Sequence, residues 1–211
     1  MNSGFMRLVF LLLPLLFLSP RVATAQSAWA IPHLTELRWS SDRISQNRTA
    51  LSTAEKAAVR KAASKAIREC VADPGPGDPR TAEGLFNSLR VRRVPLNVSG
   101  EQGVLVQGNG VCMCGAVGNC SFWLITEKAS GYEVVLQTIG IQTFEIEKAS
   151  SDGYFDVILG GHGSAWETDL SLYHYTGKYY RRGACALLSY QGDHFESLKV
   201  PKITPEPCRG R

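Results

Sequence analysis

Apolar residues change their spacing part-way along the chain. Between residues 52 and 72 they recur every third or fourth position, at Val59, Ala62, Ala63, Ala66, Ile67 and Cys70. That period paints one stripe down a helix. Ser52 and Glu55 form a Ser-x-x-Glu capping box at its start, and Pro74-Gly75-Pro76-Gly77 stops it. The stripe is mostly alanine, so the helix packs closely but buries little and has to dock on something larger.

From about residue 93 the period becomes two. Phe144 and Ile146 alternate with Thr143, Glu145 and Glu147. Residues 133–137 read as a short apolar strand, and 121–125 and 155–159 as strands buried on both faces. Residues 170–175 and 178–182 flank Thr176-Gly177, a tight hairpin. Short strands so closely joined predict an antiparallel meander. The expected fold is α+β: an N-terminal helix packed on an antiparallel β-meander of roughly six to eight strands, stapled by disulfides.

The first residues set the compartment. Arg7 precedes an apolar run over residues 8–19, and Ala23-Thr24-Ala25 offers a small-residue cleavage site before Gln26. This order marks a signal peptide, and the run is shorter than the roughly 20 residues that span a bilayer. The expected division is signal peptide 1–25, extended lead-in 26–51 (with Trp29, Leu37 and Trp39 as its apolar points), and one domain over 52–211. Within that domain lie the helix 52–72 and a β-rich part 93–200. The expected location is periplasmic or secreted, with no membrane segment in the mature form. Net charge is +4, and loss of Arg7 and Arg21 with the leader leaves +2, too little to imply nucleic acid. The basic residues at 60, 61, 65, 68, 90, 92 and 93 read as a solvated helix face and an edge strand guarded by charge.

All six cysteines follow the leader. Cys112-x-Cys114-x5-Cys120 resembles a zinc ligand set only loosely, since no second pair or nearby His completes it. An exported chain favours disulfides. Six cysteines allow 15 connectivities. The preferred set closes a short glycine loop with Cys114–Cys120, ties the tail with Cys185–Cys208, and leaves Cys70 for Cys112. Asn47, Asn97 and Asn119 each begin an Asn-x-Ser/Thr triplet, which matters only in a glycosylating host.

Gly131-Tyr132-Glu133-Val134-Val135-Leu136, then Ser151-Asp152-Gly153-Tyr154-Phe155-Asp156 leading into Val157-Ile158-Leu159-Gly160-Gly161, then Leu172-Tyr173-His174-Tyr175-Thr176-Gly177-Lys178-Tyr179-Tyr180 resemble the FG-GAP/VCBS-type unit. The resemblance covers about residues 131–181 and is to single-unit secreted bacterial proteins of unknown function. It implies one blade-like antiparallel unit rather than a closed propeller, because the unit does not repeat. It also implies a calcium loop, for which Asp152 and Asp156 stand at matching positions. Lys148 occupies the place of the first ligand and Ser150 that of the second, which opposes a cation that needs several oxygens. A plain Ser-Asp-Gly turn is the competing reading.

The densest polar cluster runs from Gly160 to Asp169 and holds His162, Ser164, Trp166, Glu167 and Asp169. It lacks the Gly-x-Ser-x-Gly elbow, and no Cys–His signature appears. His33, His174 and His194 read as structural or exposed. The expected function is therefore a non-catalytic binding protein with a protein partner, inhibitor- or immunity-like in one version. Its contact surface would be loop 160–169, and no cofactor is expected. The mild positive charge argues against a strongly basic target. The alternative is a hydrolase whose site sits on the same loop.

Overall fold

The computed structural model describes residues 50–192 and 197–208. The expected leader, nearly all of the lead-in, His33 and His194 lie outside them.

Helix α1 runs from Thr53 to Ala72. Ser52 caps it: its Oγ accepts the Glu55 N–H at 3.2 Å, and its own N–H donates to Glu55 Oε2 at 2.7 Å. The buried stripe is Val59, Ala63, Ile67 and Cys70, as the spacing predicts. Two short helices, α2 (Ala82–Ser88) and α3 (Gly110–Cys114), have no counterpart in the expectations from sequence. They are too brief to show a period and depend on side-chain caps. Thr81 Oγ1 accepts the Gly84 N–H at the start of α2, and Asp78 accepts the N–H groups of Val111 and Cys112 at 2.9 and 2.7 Å in α3.

Nine strands follow among the described residues, forming two antiparallel sheets rather than one. Sheet A comprises β1 (Arg90–Pro95), β2 (Gln102–Gln107), β3 (Cys120–Lys128) and β4 (Gly131–Ile141). Sheet B comprises β5 (Thr143–Ser151), β6 (Tyr154–His162), β7 (Glu167–Tyr175), β8 (Tyr180–Gln191) and β9 (Ser197–Glu206). Strand order equals chain order in both, so each is a meander, and the β-rich part extends past both expected ends. The single sheet of six to eight strands is corrected at one residue. Gln142 alone separates β4 from β5, and a hairpin needs about two loop residues or more. The chain therefore bends there instead of pairing. The Gln142 N–H donates to Gly160 O at 2.8 Å, and its side chain donates to Val117 O at 2.6 Å.

The layers follow from strand alternation. On β3, Trp123 and Ile125 face a cluster containing Val59, Ala63 and Ile67 of α1, with Leu85 of α2. Phe122 and Leu124 face the other way, into a core shared with Phe144, Val157, Leu159 and Tyr173 of sheet B. Sheet A is thus covered by helices on one side and by sheet B on the other. A third cluster, including Ile158, Leu170, Leu172 and Leu188, lies on the reverse face of sheet B.

Glu55 also fixes α1 to sheet A. Arg93 on β1 donates to Glu55 Oε1 through Nε at 3.1 Å and through Nη2 at 2.9 Å, and to Oε2 through Nη2 at 2.7 Å. Arg93 is thus a structural anchor and not only an edge guard. The bridges join Cys70 to Cys112, Cys114 to Cys120 and Cys185 to Cys208, the pairs expected from the sequence. They clasp α1 to α3, close the turn before β3, and tie the tail to β8.

Burial alone would raise the Glu55 carboxyl. The hydrogen bonds from Arg93 and Ser52 outweigh it and hold the group below its ordinary value of 4.5. Its contribution to stability is complete above that pH and is lost as the pH falls through the lower folded value. Glu55→Gln keeps a capping acceptor and should cost about 1–2 kcal/mol, whereas Glu55→Ala loses the cap as well and should cost about 3 kcal/mol. Urea midpoints at pH 7 check this, and Arg93→Ala should flatten the acid slope between pH 5 and pH 3. Peptide mapping without reductant should find all six cysteines of the chain in bridges. Two free thiols in the folded protein would contradict the three pairs.

Candidate functional site: a cleft between the sheets

The two sheets do not cover each other completely. At one end of the sandwich a cleft of about 430 Å³ lies between β4 and the face of β6, β7 and β8. Its wall is five consecutive β4 residues, Gln137 to Ile141. The ladder to β3 breaks register between Thr138 and Ile141, where Gly140 has φ 81°, so strict alternation lapses and the run borders the cleft without a gap. The floor follows from register. Gly161 pairs with Asp169, Leu159 with Ser171, and Val157 with Tyr173. Because Val157, Leu159 and Tyr173 belong to the core between the sheets, Asp169 and Ser171 share that inner face. Gly161 is required here, since a Cβ on it would collide with the Gly140 carbonyl oxygen.

Both rims are stapled. Asn119, inside the Cys114–Cys120 loop, donates through Nδ2 to His162 O at 2.9 Å and accepts the His162 N–H at 2.8 Å. This reciprocal pair fixes the loop to the end of β6, so the two loops share one face. On the far rim Cys185 lines the cleft, pairs in register with Glu206 of β9, and is bridged to Cys208.

The five residues expected from loop 160–169 divide. Asp169 and His162 line the cleft, but His162 pairs with Thr168, on the face opposite Asp169. Ser164, Trp166 and Glu167 belong to the β6–β7 turn. There the Ser164 hydroxyl donates to Glu167 Oε2 and accepts the Trp166 N–H, both at 3.2 Å, while Glu167 O accepts the N–H groups of Gly163 and Ser164. These polar groups hold the turn, and no described hydrogen bond joins Ser164 to His162. Trp166 stands at the tip, 45% exposed. The sequence reading missed Asn119, Ser171, Arg182 and Glu206 as cleft residues. Strand period two assigns Asp169 and Ser171 to one side of β7 but does not say that this side faces sheet A.

A Ser–His–Asp array occurs elsewhere. His174 Nδ1 lies 2.8 Å from Asp156 Oδ2 and 3.3 Å from Ser151 Oγ. Both contacts use the same ring nitrogen, so the imidazole cannot take a proton from Ser151 on one nitrogen while Asp156 orients it through the other, as a relay requires. The ring lies against Gly183, where a Cβ would meet it. His174 thus packs within sheet B between Asp156, Ser151 and Gly183.

The calcium pair also separates. Asp152 (φ 46°) and Gly153 (φ 84°) form the β5–β6 turn, a backbone fitting a type I′ hairpin. Asp156 is buried on β6, and one of its oxygens is taken by His174. The Lys148 side chain is outside the described residues. No group of three or more His, Cys, Asp or Glu is placed to hold a metal among the described residues.

The other end of the sandwich is closed by charge and rings. Lys128 Nζ donates to Tyr154 OH at 2.6 Å and lies 4.4 Å from the Tyr154 ring centroid, and Tyr154 OH donates to Glu101. Burial pulls the Lys128 ammonium down, but its hydrogen bonds to Tyr154 and Tyr175 hold it above its ordinary value. Burial, then the Glu101 hydrogen bond, raises Tyr154; burial is also the largest cause of the rise at Tyr180.

The chain matches no known protein family, no curated protein and no solved structure.

With Asp156 committed to His174 and Asp152 at a hairpin tip, millimolar calcium should leave the melting temperature unchanged. A saturable rise would show a site built from other oxygens.

Proposed function

We propose that this is a non-catalytic binding protein of the periplasm or the extracellular space, with a protein partner. The observation that carries it is the cleft with a disulfide on each rim. Rims fixed in advance lower the ordering cost of association. Three disulfides suit an oxidising compartment, and among the described residues no helix is long and apolar enough to cross a membrane. Trp166, on the hairpin whose strands bring His162 and Asp169 to the cleft, is the adjacent aromatic contact, and exposed Trp is typical of binding hot spots. An inhibitor- or immunity-like role is one form of this function.

The finer α+β description, with α1 docked on sheet A, belongs to the same reading. So does kinship with FG-GAP/VCBS-like secreted proteins. That kinship rests on residues 131–181, which place β4 in sheet A and β5 to β7 in sheet B, so a blade-like unit would reside in sheet B.

The oxidised chain, immobilised and exposed to extract from the exporting compartment, should retain a partner. Trp166→Ala should lower retention at least tenfold while leaving the melting temperature unchanged. Recovery of no partner, together with a hydrolytic activity that His162→Ala or Ser164→Ala abolishes, would replace this reading with the hydrolase.

A further inference from the structure

Among the described residues the two sheets have four edge strands: β1, β4, β5 and β9. Exposed edges invite pairing with another chain, and proteins guard them with charge, proline and bulges. Three of the four are guarded by charge or proline. β1 carries Arg90, Arg92, Arg93 and Pro95; β5 carries Glu145, Glu147 and a break in register between Ile146 and Ser150; β9 carries Lys199, Lys202, Pro201 and Pro205. The fourth, β4, has eleven residues with no Pro, Lys or Arg and one charge, Glu133. Its only such device is a break in register against β3 at two places, between Val134 and Leu136 and between Thr138 and Ile141. It also exposes Val134 at 40% and Ile139 at 61%. Its sheet partner is β3 alone, and among the described residues none of the backbone hydrogen bonds outside the sheets involves residues 131–140.

We infer that the outer edge of β4 is a strand-addition site for an extended segment of another protein that carries Lys or Arg. This rests on the binding-protein reading and names the mode and the chemistry of the partner. An added strand along residues 137–141 would span about 16 Å at ~3.3 Å per residue. Its main chain would bond the edge, and alternate side chains would fall into the cleft, the usual division of labour in strand addition. The cleft lining holds two carboxylates, Asp169 and Glu206, against one guanidinium, Arg182, which already interacts within the chain. A basic side chain therefore complements the floor, even though the whole chain carries +4. Net charge governs long-range approach, whereas these two carboxylates act at contact. A second copy fits less well: pairing β4 with β4 covers Val134 and Ile139 but brings no cation, because β4 has no Lys or Arg.

Two measurements on the oxidised full chain test this. Hydrogen exchange of the chain alone should show fast-exchanging amides within residues 131–140. Slow exchange at every one of them means the edge is already taken and overturns the proposal; dependence on protein concentration would then name a second copy, and independence a segment of the same chain. Panning of a phage-displayed random octapeptide library should enrich peptides with Lys or Arg in alternating positions. N-methylation of alternate peptide amides should weaken binding at least tenfold in one phase and little in the other. Ile139→Lys, at an exposed position, should weaken binding at least tenfold. Asp169→Asn with Glu206→Gln should remove the preference for basic peptides over acidic analogues. Binding that survives N-methylation in both phases, or enrichment without basic residues, overturns strand addition and leaves the binding-protein reading in place. If nothing is enriched over an unrelated disulfide-bonded protein and the extract yields no partner, both fail.

Discussion

The structure depends on covering β3 from both sides. Phe122, Trp123, Leu124 and Ile125 are four consecutive residues, each at most 2% exposed, and alternation sends two to each face. One helix or one sheet alone would leave half of them in water. An alanine-striped helix suffices on the Trp123 side because Ala63 and Ile67 allow close approach and the Glu55–Arg93 pair holds the helix end in register with β1. The Phe122 side needs a broader cover, which sheet B supplies through Phe144, stacked on Phe122 at 5.6 Å between centroids. The bridge Cys70–Cys112 then fastens the helical layer where α1 ends, after the capping box has fixed where it begins.

Local features of this arrangement were legible in the chain. The helix stripe, its Ser52–Glu55 start and the strands buried on both faces are properties of near neighbours, which period and turn chemistry report directly. The hairpin after Tyr175 was legible in place but not in length, since its turn takes four residues, Thr176 to Tyr179, rather than the tight pair Thr176-Gly177. Of the cysteine pairs, Cys114–Cys120 is a local loop closure and Cys185–Cys208 a tie for the tail, and Cys70–Cys112 follows as the pair left over. The division into two sheets was not legible. It turns on the single residue Gln142 and on Gly140 and Gly161 meeting across the bend, a contact between positions far apart in sequence. The role of Asn119 was hidden for the same reason: its partner is the backbone of His162, and any residue type offers that backbone.

Loop 160–169 shows how composition misleads about chemistry. His, Ser, Glu and Asp within a short glycine-rich segment look like a site when read as a string. On a hairpin, adjacent residues diverge, so His162 and Asp169 fall on opposite faces, and Ser164 and Glu167 are used to make the turn. What converges on the cleft is instead assembled from five strands, β4 and β6 to β9, and the turn before β3. Its polar floor lies at the open end of the sandwich. At the opposite end Tyr154 bridges Lys128 and Glu101, and Glu101 also accepts from Thr126 and Asn97, so the polar groups there are bonded within the chain.

The bend at Gln142 links that open end to the outer edge of β4. Because β4 passes into β5 without a loop, β5 is carried into the other sheet and cannot pair beside β4, so the outer edge of β4 is left without a neighbour from that side. The same bend brings Gly140 against Gly161 and sets the edge directly above the floor that carries Asp169 and Ser171. The other exposed edges have room for proline or lysine. Along residues 137–141 a bulky or charged guard would have to project into the cleft or away from it, and the chain places Gln137, Thr138, Ile139, Gly140 and Ile141 there instead. One covalent constraint thus produces the wall, the floor and a β4 edge that pairs with no second strand among the described residues. A partner that uses all three has to be an extended chain, because only a strand can satisfy the edge while its side chains reach the floor.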